Sequence, residues 1–215
     1  MNRITLIAVG LTLMFAQTTH AQKNKGGLAI NAGAGFSMFG ILGSLNFSIK
    51  DDFTVESKAT PALVGSFDYA FENNISLGLG GGYQEVSQKF TDYMFMDENG
   101  IEQAGSFSYE LTRINVGARL LFHFGNGRMD AYAGIKPGVN IYNLKLDMTS
   151  DIPEPSWLRT GGSTFALQVI PIGFRGYFTD NIGFFMETGI GAPSFISAGL
   201  CIGVQMPTEP IQPTN

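Results

Sequence analysis

Charge is scarce in this chain. Only 14% of its 215 residues are Asp, Glu, Lys or Arg, and the formal net charge is -5. That balance lacks the basic surface nucleic acid demands and excludes it as a partner. Cysteine is scarcer still. Cys201 stands alone, which rules out an internal disulfide framework and a cysteine-based metal cluster. Helical periodicity is missing, and beyond residue 22 no apolar run reaches the ~18 residues that a membrane-spanning helix needs. Yet the mean hydropathy is +0.11, and glycine reaches 28 residues, about twice its usual share. A mature chain this apolar must bury its surface in a core or show it to lipid through strands.

The opening segment, MNRITLIAVGLTLMFAQTTHA, carries Arg3, an apolar run from Ile4 to Phe15, and small residues around Ala21. This pattern predicts a secretory signal peptide over residues 1–21. No cysteine stands at the cleavage site, which argues against lipoprotein processing. Residues 22–206 then form the folded domain, and 207–215 a short Pro-rich tail.

Period-two alternation dominates the mature chain. Ile75, Leu77, Leu79 and Tyr83 share one face of an extended segment, with Ser76, Gly78, Gly80, Gly82 and Gln84 on the other. Ile114, Val116, Ala118, Leu120, Phe122 and Phe124 alternate with Asn115, Gly117, Arg119, Leu121 and His123. The same pattern recurs over 27–38, 61–71, 129–141, 165–178, 182–190 and 196–204, giving about eight strands. Tight turns are expected at 72–74, 125–128 and 179–181, and long acidic loops near 40–60, 91–106 and 149–163. Aromatics gather beside the tight turns at Tyr69, Phe71, Phe122, Phe124 and Phe178. Tilted ten-residue strands, short turns on one side, long loops on the other and an aromatic girdle predict an all-β, eight-stranded antiparallel transmembrane β-barrel. A secreted soluble barrel or sandwich would need a solvated polar face rich in Lys, Glu, Ser and Thr. Here that face is mostly glycine with isolated charges, and the apolar face carries no charge at mid-strand.

The pieces AGIKPGVNIY (133–142) and GFRGYFTDNIGFFMETGIG (173–191) resemble the fifth strand and the sixth-to-seventh hairpin of small outer-membrane β-barrel proteins. These are abundant in Bacteroidota and loosely similar to OmpA-type, porin-like barrels. The resemblance covers nearly all of the mature chain. It implies an outer-membrane location with turns in the periplasm, a surround of outer-membrane lipid and lipopolysaccharide, and contact with the barrel-assembly machinery during biogenesis. The chain departs from the pattern in two places. The last strand runs into QMPTEPIQPTN rather than ending on an aromatic, and no peptidoglycan-binding domain follows.

An eight-stranded barrel has an interior just wide enough for side chains. Inward charges there must pair or bind trapped water. The inward faces carry Asp68, Arg119, Asp130, Lys136, Arg175 and Glu187, which we read as a structural ion-pair network plugging the barrel. A proton or ion path is the functional alternative. If the turns set the register, Asp68 lies opposite Gly78, Lys136 opposite Gly117, and Glu187 opposite Gly173. Glu187 would then reach Arg175 diagonally, with Arg119 and Lys136 able to share it.

No catalytic, cofactor or metal set emerges. His123 is the one histidine of the mature chain, and a Ser-His-acid arrangement finds only Asp130 as a plausible neighbour. GLGGG (78–82) lacks the Lys-Ser/Thr and helix of a phosphate loop. Asp97, Asn99 and Glu102 make only a fragment of a calcium loop. Tyr93, Met94, Phe95 and Met96, with the lone Trp157, are loop residues able to contact a partner or to pack over the barrel mouth. The expected function is a non-enzymatic barrel acting in envelope integrity or surface contact, against a small porin or secretion-accessory barrel and a lipid-modifying enzyme.

Overall fold

The computed structural model describes residues 25–44, 54–96, 102–124, 128–148 and 161–205, with only the backbone of 42–44, 54, 92–96, 102–104, 148 and 205. The expected leader and tail lie outside this range. The described residues form β1 (Gly27–Phe36), α1 (Met38–Ser44), β2 (Thr54–Ala59), β3 (Ala62–Glu72), β4 (Ile75–Met96), β5 (Glu102–His123), β6 (Met129–Met148), β7 (Gly161–Tyr177), β8 (Ile182–Thr188) and β9 (Ile196–Gln205). Every pairing is antiparallel. Neighbours run β4, β3, β1, β9, β8, β7, β6, β5, and β5 returns to β4 to close a ring of eight strands.

Nine strands make eight staves because β2 and β3 occupy the same edge of β4. Ala59 pairs with Val86, and Leu63 with Tyr83. One residue is therefore gained at the break, where Pro61 has no N–H to offer the ladder. Thr60 bridges it, donating its N–H to the Glu85 carbonyl and accepting from the Glu85 N–H through Oγ1, both at 2.9 Å. A second bulge falls in β7. Tyr132 pairs with Gly173 but Gly134 with Ile170, so β7 gains one residue around Pro171. The slip turns Ile170 and Gly173 both inward, while Pro171 and Ile172 stay exposed.

Two expected loops contain regular structure. The stretch 40–60 contains most of α1 and all of β2, and the stretch 91–106 belongs to β4 and β5 except for residues 97–101. Tyr93 to Met96 continue the ladder, opposite Gly105 to Glu102. The sequence hid these extensions because their polarity is reversed. In the lower barrel the outer face is apolar: Leu79 is 63% exposed, Phe165 74% and Leu200 63%. The inner face there is mostly polar or small, with Leu121, Tyr132, Ile170 and Phe185 buried among the charges. The outer row Tyr83, Ile114 and Ile141 ends that belt; the next outer row is Glu85, Thr112 and Asn143, followed by Ser87, Glu110 and Lys145. Above this line the inward rows turn largely apolar: Val86, Leu111 and Leu144, then Tyr109 and Leu146 beside Gln88, then Phe90 and Phe107. The rings of Phe90 and Phe107 stack at 4.4 Å. On the outer side, Lys145 reaches Glu110 at 2.8 Å, a hydrogen bond that raises the lysine above its ordinary pKa.

At the opposite end two of the expected short turns are described, while residues 125–127 of the third lie outside the described residues. Asn73 and Asn74 connect β3 to β4, with Asn74 at φ 70°, a left-handed conformation that asparagine tolerates. Thr179 closes the β7–β8 turn by accepting the Ile182 N–H through Oγ1 at 2.9 Å. Tyr69, Phe71, Phe122, Phe124 and Phe178 are all exposed around this rim.

Candidate functional site

Alternation sends one residue in two of each stave into the lumen, and there the barrel is polar. Asp68, Arg119, Asp130, Lys136, Arg175 and Glu187 are all buried, with Asp68 and Arg175 fully so. Asp68 pairs with Gly78 and Glu187 with Gly173. Both glycines are required by space. A Cβ on Gly78 would meet the Asp68 carboxylate, and one on Gly173 would meet the Tyr132 ring.

The third expected pairing is two residues off. Gly117 pairs with Gly138 and Leu120 with Ile135, which sets Lys136 level with Arg119. The cause is the β5–β6 connection: the Phe124 N–H bonds the Ala131 carbonyl, so the ladder starts later on β6 than a four-residue turn implies.

The charges form a connected cluster across the lumen. Arg119 on β5 donates Nε to Asp68 at 2.9 Å, and Nη1 and Nη2 to Glu187 at 3.2 and 2.7 Å. Arg175 on β7 donates Nη2 to the other Asp68 oxygen, Nη1 to Asp130 at 3.3 Å, and Nε to Asn31 at 3.2 Å. Tyr132 seats both arginine groups. Its ring lies 4.6 Å beneath the Arg175 guanidinium, and its hydroxyl donates to Glu187 at 3.1 Å. The expected direct contact between Glu187 and Arg175 is replaced by this relay. Arg119 stands nearer Glu187 and satisfies both carboxylate oxygens, and Arg175 turns to Asp68 and Asp130 instead. Asp68, held by two guanidiniums, joins the halves.

Lys136 belongs to the next level. Its ammonium donates to Asn115 Oδ1 at 2.6 Å, and no described carboxylate pairs with it. Above it, Arg113 donates to Gln84 at 2.9 Å and to the Pro193 carbonyl at 2.6 Å, beside the Phe39 ring. Sequence reasoning passed over Arg113, though it lies on the same face of β5 as Asn115, Gly117 and Arg119. A cavity of about 20 Å³ lined by Arg119, Lys136, Gln168, Glu187 and Ser197 has room for roughly one water molecule.

The sequence also missed Ser76. Its hydroxyl lies 2.8 Å from His123 Nε2, and His123 Nδ1 lies 2.8 Å from Asp130. An ionised carboxylate only accepts, so Nδ1 carries the proton and Nε2 faces the serine. This is the connectivity of a hydrolytic Ser-His-acid set. The signal was available: Ser76 and His123 each sit one residue from a tight turn. The surroundings, however, close the set. Ser76 is fully buried, His123 and Asp130 nearly so, and Asp130 is divided between the imidazole and Arg175. A nucleophile needs space for the atom it attacks, and the hydroxyl has none.

Tyr93, Met94, Phe95 and Met96 lie on the projecting end of β4 rather than in a loop, and their side chains and Trp157 fall outside the described residues. Among the described residues no group of three metal-ligating side chains is assembled.

No protein-family model matches the chain, and no curated protein sequence matches it. Solved structures do. The N-terminal β-barrel domain of Pseudomonas aeruginosa OprF aligns over 83% of this chain and 96% of its own, at 14% identity and a TM-score of 0.40. Ail, the attachment invasion locus protein of Yersinia pestis, aligns over 83% and 95%, at 11% identity and a TM-score of 0.38.

Proposed function

We propose that the protein is a non-enzymatic outer-membrane β-barrel whose lumen is plugged by its ion-pair network, and that it serves envelope integrity or contact at the cell surface. The observation that carries this reading is the inverted polarity of the lower barrel. Its charges are inside, and leucines, phenylalanines and isoleucines cover its outside on every stave. A monomer in water rarely exposes an apolar patch beyond a few hundred Å². A bilayer core wants that surface, and ring closure satisfies the backbone groups it could not solvate. The return to a polar outer face above Tyr83, Ile114 and Ile141 supports an interface at that level.

The natural surroundings are then outer-membrane lipid and lipopolysaccharide, reached by way of the barrel-assembly machinery. Filling of the lumen from Asp130 up to Arg113 favours a structural or surface role over a porin. The projecting β4–β5 hairpin, polar outside, offers the surface for contact. Two measurements test the reading. The mature chain should fractionate with the outer membrane, and recovery in the soluble periplasm overturns the membrane assignment. In planar bilayers it should show no steady large openings, and such openings overturn the plug.

A further inference from the structure

A cavity of about 160 Å³ lies at the upper rim of the barrel, between the end of β1, α1 and the break at Thr60–Pro61. Phe36, Ile41, Ala59 and Pro61 form its walls together with Gly35 and Gly40, and Ser37, Thr60 and Gln84 complete the lining. The three polar residues already bond one another or the backbone. Ser37 Oγ donates to Gln84 Oε1 at 2.5 Å and accepts the Gly40 N–H at 2.9 Å. Gln84 Nε2 donates to the Thr60 carbonyl at 3.0 Å, and its Oε1 also takes Arg113. Thr60 Oγ1 is engaged with Glu85. A water molecule needs two to four polar partners, and the walls of this open-sided pocket are mostly apolar. The chemistry therefore selects an apolar occupant.

Its position selects the source. β1 and β3 pair only as far as Gly35 and Ala62, and above that level the wall between them parts. Phe36, on the outward face of β1, lines the cavity and is 71% exposed, and Met38, Ile41, Leu63 and Ile196 continue an exposed apolar surface around it. This surface joins the apolar belt of the barrel wall. We propose that the cavity is a lateral pocket that takes the upper part of one acyl chain from a lipid of the outer leaflet, with Phe36 and Ile41 at its mouth and Gln84 at its floor. The proposal rests on the membrane reading above.

The test reconstitutes the full-length mature protein in phosphatidylcholine vesicles. These carry a small fraction of phosphatidylcholine with a diazirine on an upper acyl carbon, near the headgroup. After irradiation, cross-linked residues are mapped by peptide mass spectrometry. Cross-links are expected on the outward residues Leu79, Val116 and Phe184, and also on inward Gln84. Ala59→Trp, which fills the cavity, should lower the Gln84 yield at least five-fold and leave the belt yields unchanged. Ala59→Leu, a gentler filling, is scored in the same way and serves alone if the tryptophan variant does not fold. Belt cross-links without Gln84 cross-links, or a Gln84 yield unmoved by filling, overturn the pocket while sparing the membrane reading. Absence of belt cross-links overturns the membrane reading itself.

Discussion

Arg119 and Glu187 face each other across the lumen with two parallel hydrogen bonds, from β5 to β8. Bidentate contacts between a guanidinium and a carboxylate are the stronger kind of ion pair. They are worth most as a unit, because a buried charge left alone costs about 3–5 kcal/mol. Arg119→Met or Glu187→Gln should each lower the temperature at which the heat-dependent gel shift occurs. The double mutant should recover part of that loss, with a coupling well above ~0.5 kcal/mol. Strictly additive losses would show that the pair does not act as one.

Asp68 accepts from both Arg119 and Arg175 and is fully buried. Asp68→Asn thus removes the charge facing two guanidiniums at once, where Glu187→Gln affects one. Its shift in melting temperature should be the larger of the two. Arg175 and Glu187 meet only through Asp68 and Tyr132, so their mutual coupling should fall below that of Arg119 with Glu187. Thermal gel-shift midpoints of the singles and doubles rank these effects, and the reverse order would refute the relay.

The lower barrel was legible in the sequence because one face is apolar and the other is not, so a period of two survives. Asp68 opposite Gly78 and Glu187 opposite Gly173 followed from turns whose length was readable. Lys136 was misplaced because the β5–β6 connection is longer than its GNGR core, a matter of where pairing starts rather than of composition. The strand ends above Tyr83 were illegible for a different reason. Their polarity inverts where the apolar belt stops, so acidic residues and YMFM looked like a loop. Ser76 escaped notice because its place beside a turn, like that of His123, becomes a contact only once the β4–β5 register is known. The β4–β5 hairpin sets Ser76 opposite Leu121, two residues from His123, and its register runs through the 91–106 stretch that read as a loop.

Ser76, His123 and Asp130 have the distances of a hydrolytic set but no room for a substrate carbonyl. A fluorophosphonate probe, which marks reactive serines, should leave Ser76 unlabelled in the folded protein. Ser76→Ala should lower the stability read from the gel shift by about 1–3 kcal/mol, the usual cost of leaving a buried hydrogen-bonding group without its partner. Labelling at Ser76 would refute the non-enzymatic reading.

Val116 and Ser108 lie on the same outward face of β5, eight residues apart and on opposite sides of the polarity boundary. Val116 sits inside the apolar belt and is 49% exposed, whereas Ser108 pairs with Lys89 and Asp147 among polar neighbours. An arginine on the lipid face of a barrel costs about 2–4 kcal/mol at the bilayer midplane and about 0–1 near the interface. Val116→Arg should therefore destabilise the protein refolded in lipid vesicles by several-fold more than Ser108→Arg. In a soluble barrel both positions would meet water, and surface changes would stay within about 0.5 kcal/mol. Chemical denaturation of the two variants in the same vesicles separates these cases. Equal, small losses would mean that the apolar belt does not face lipid.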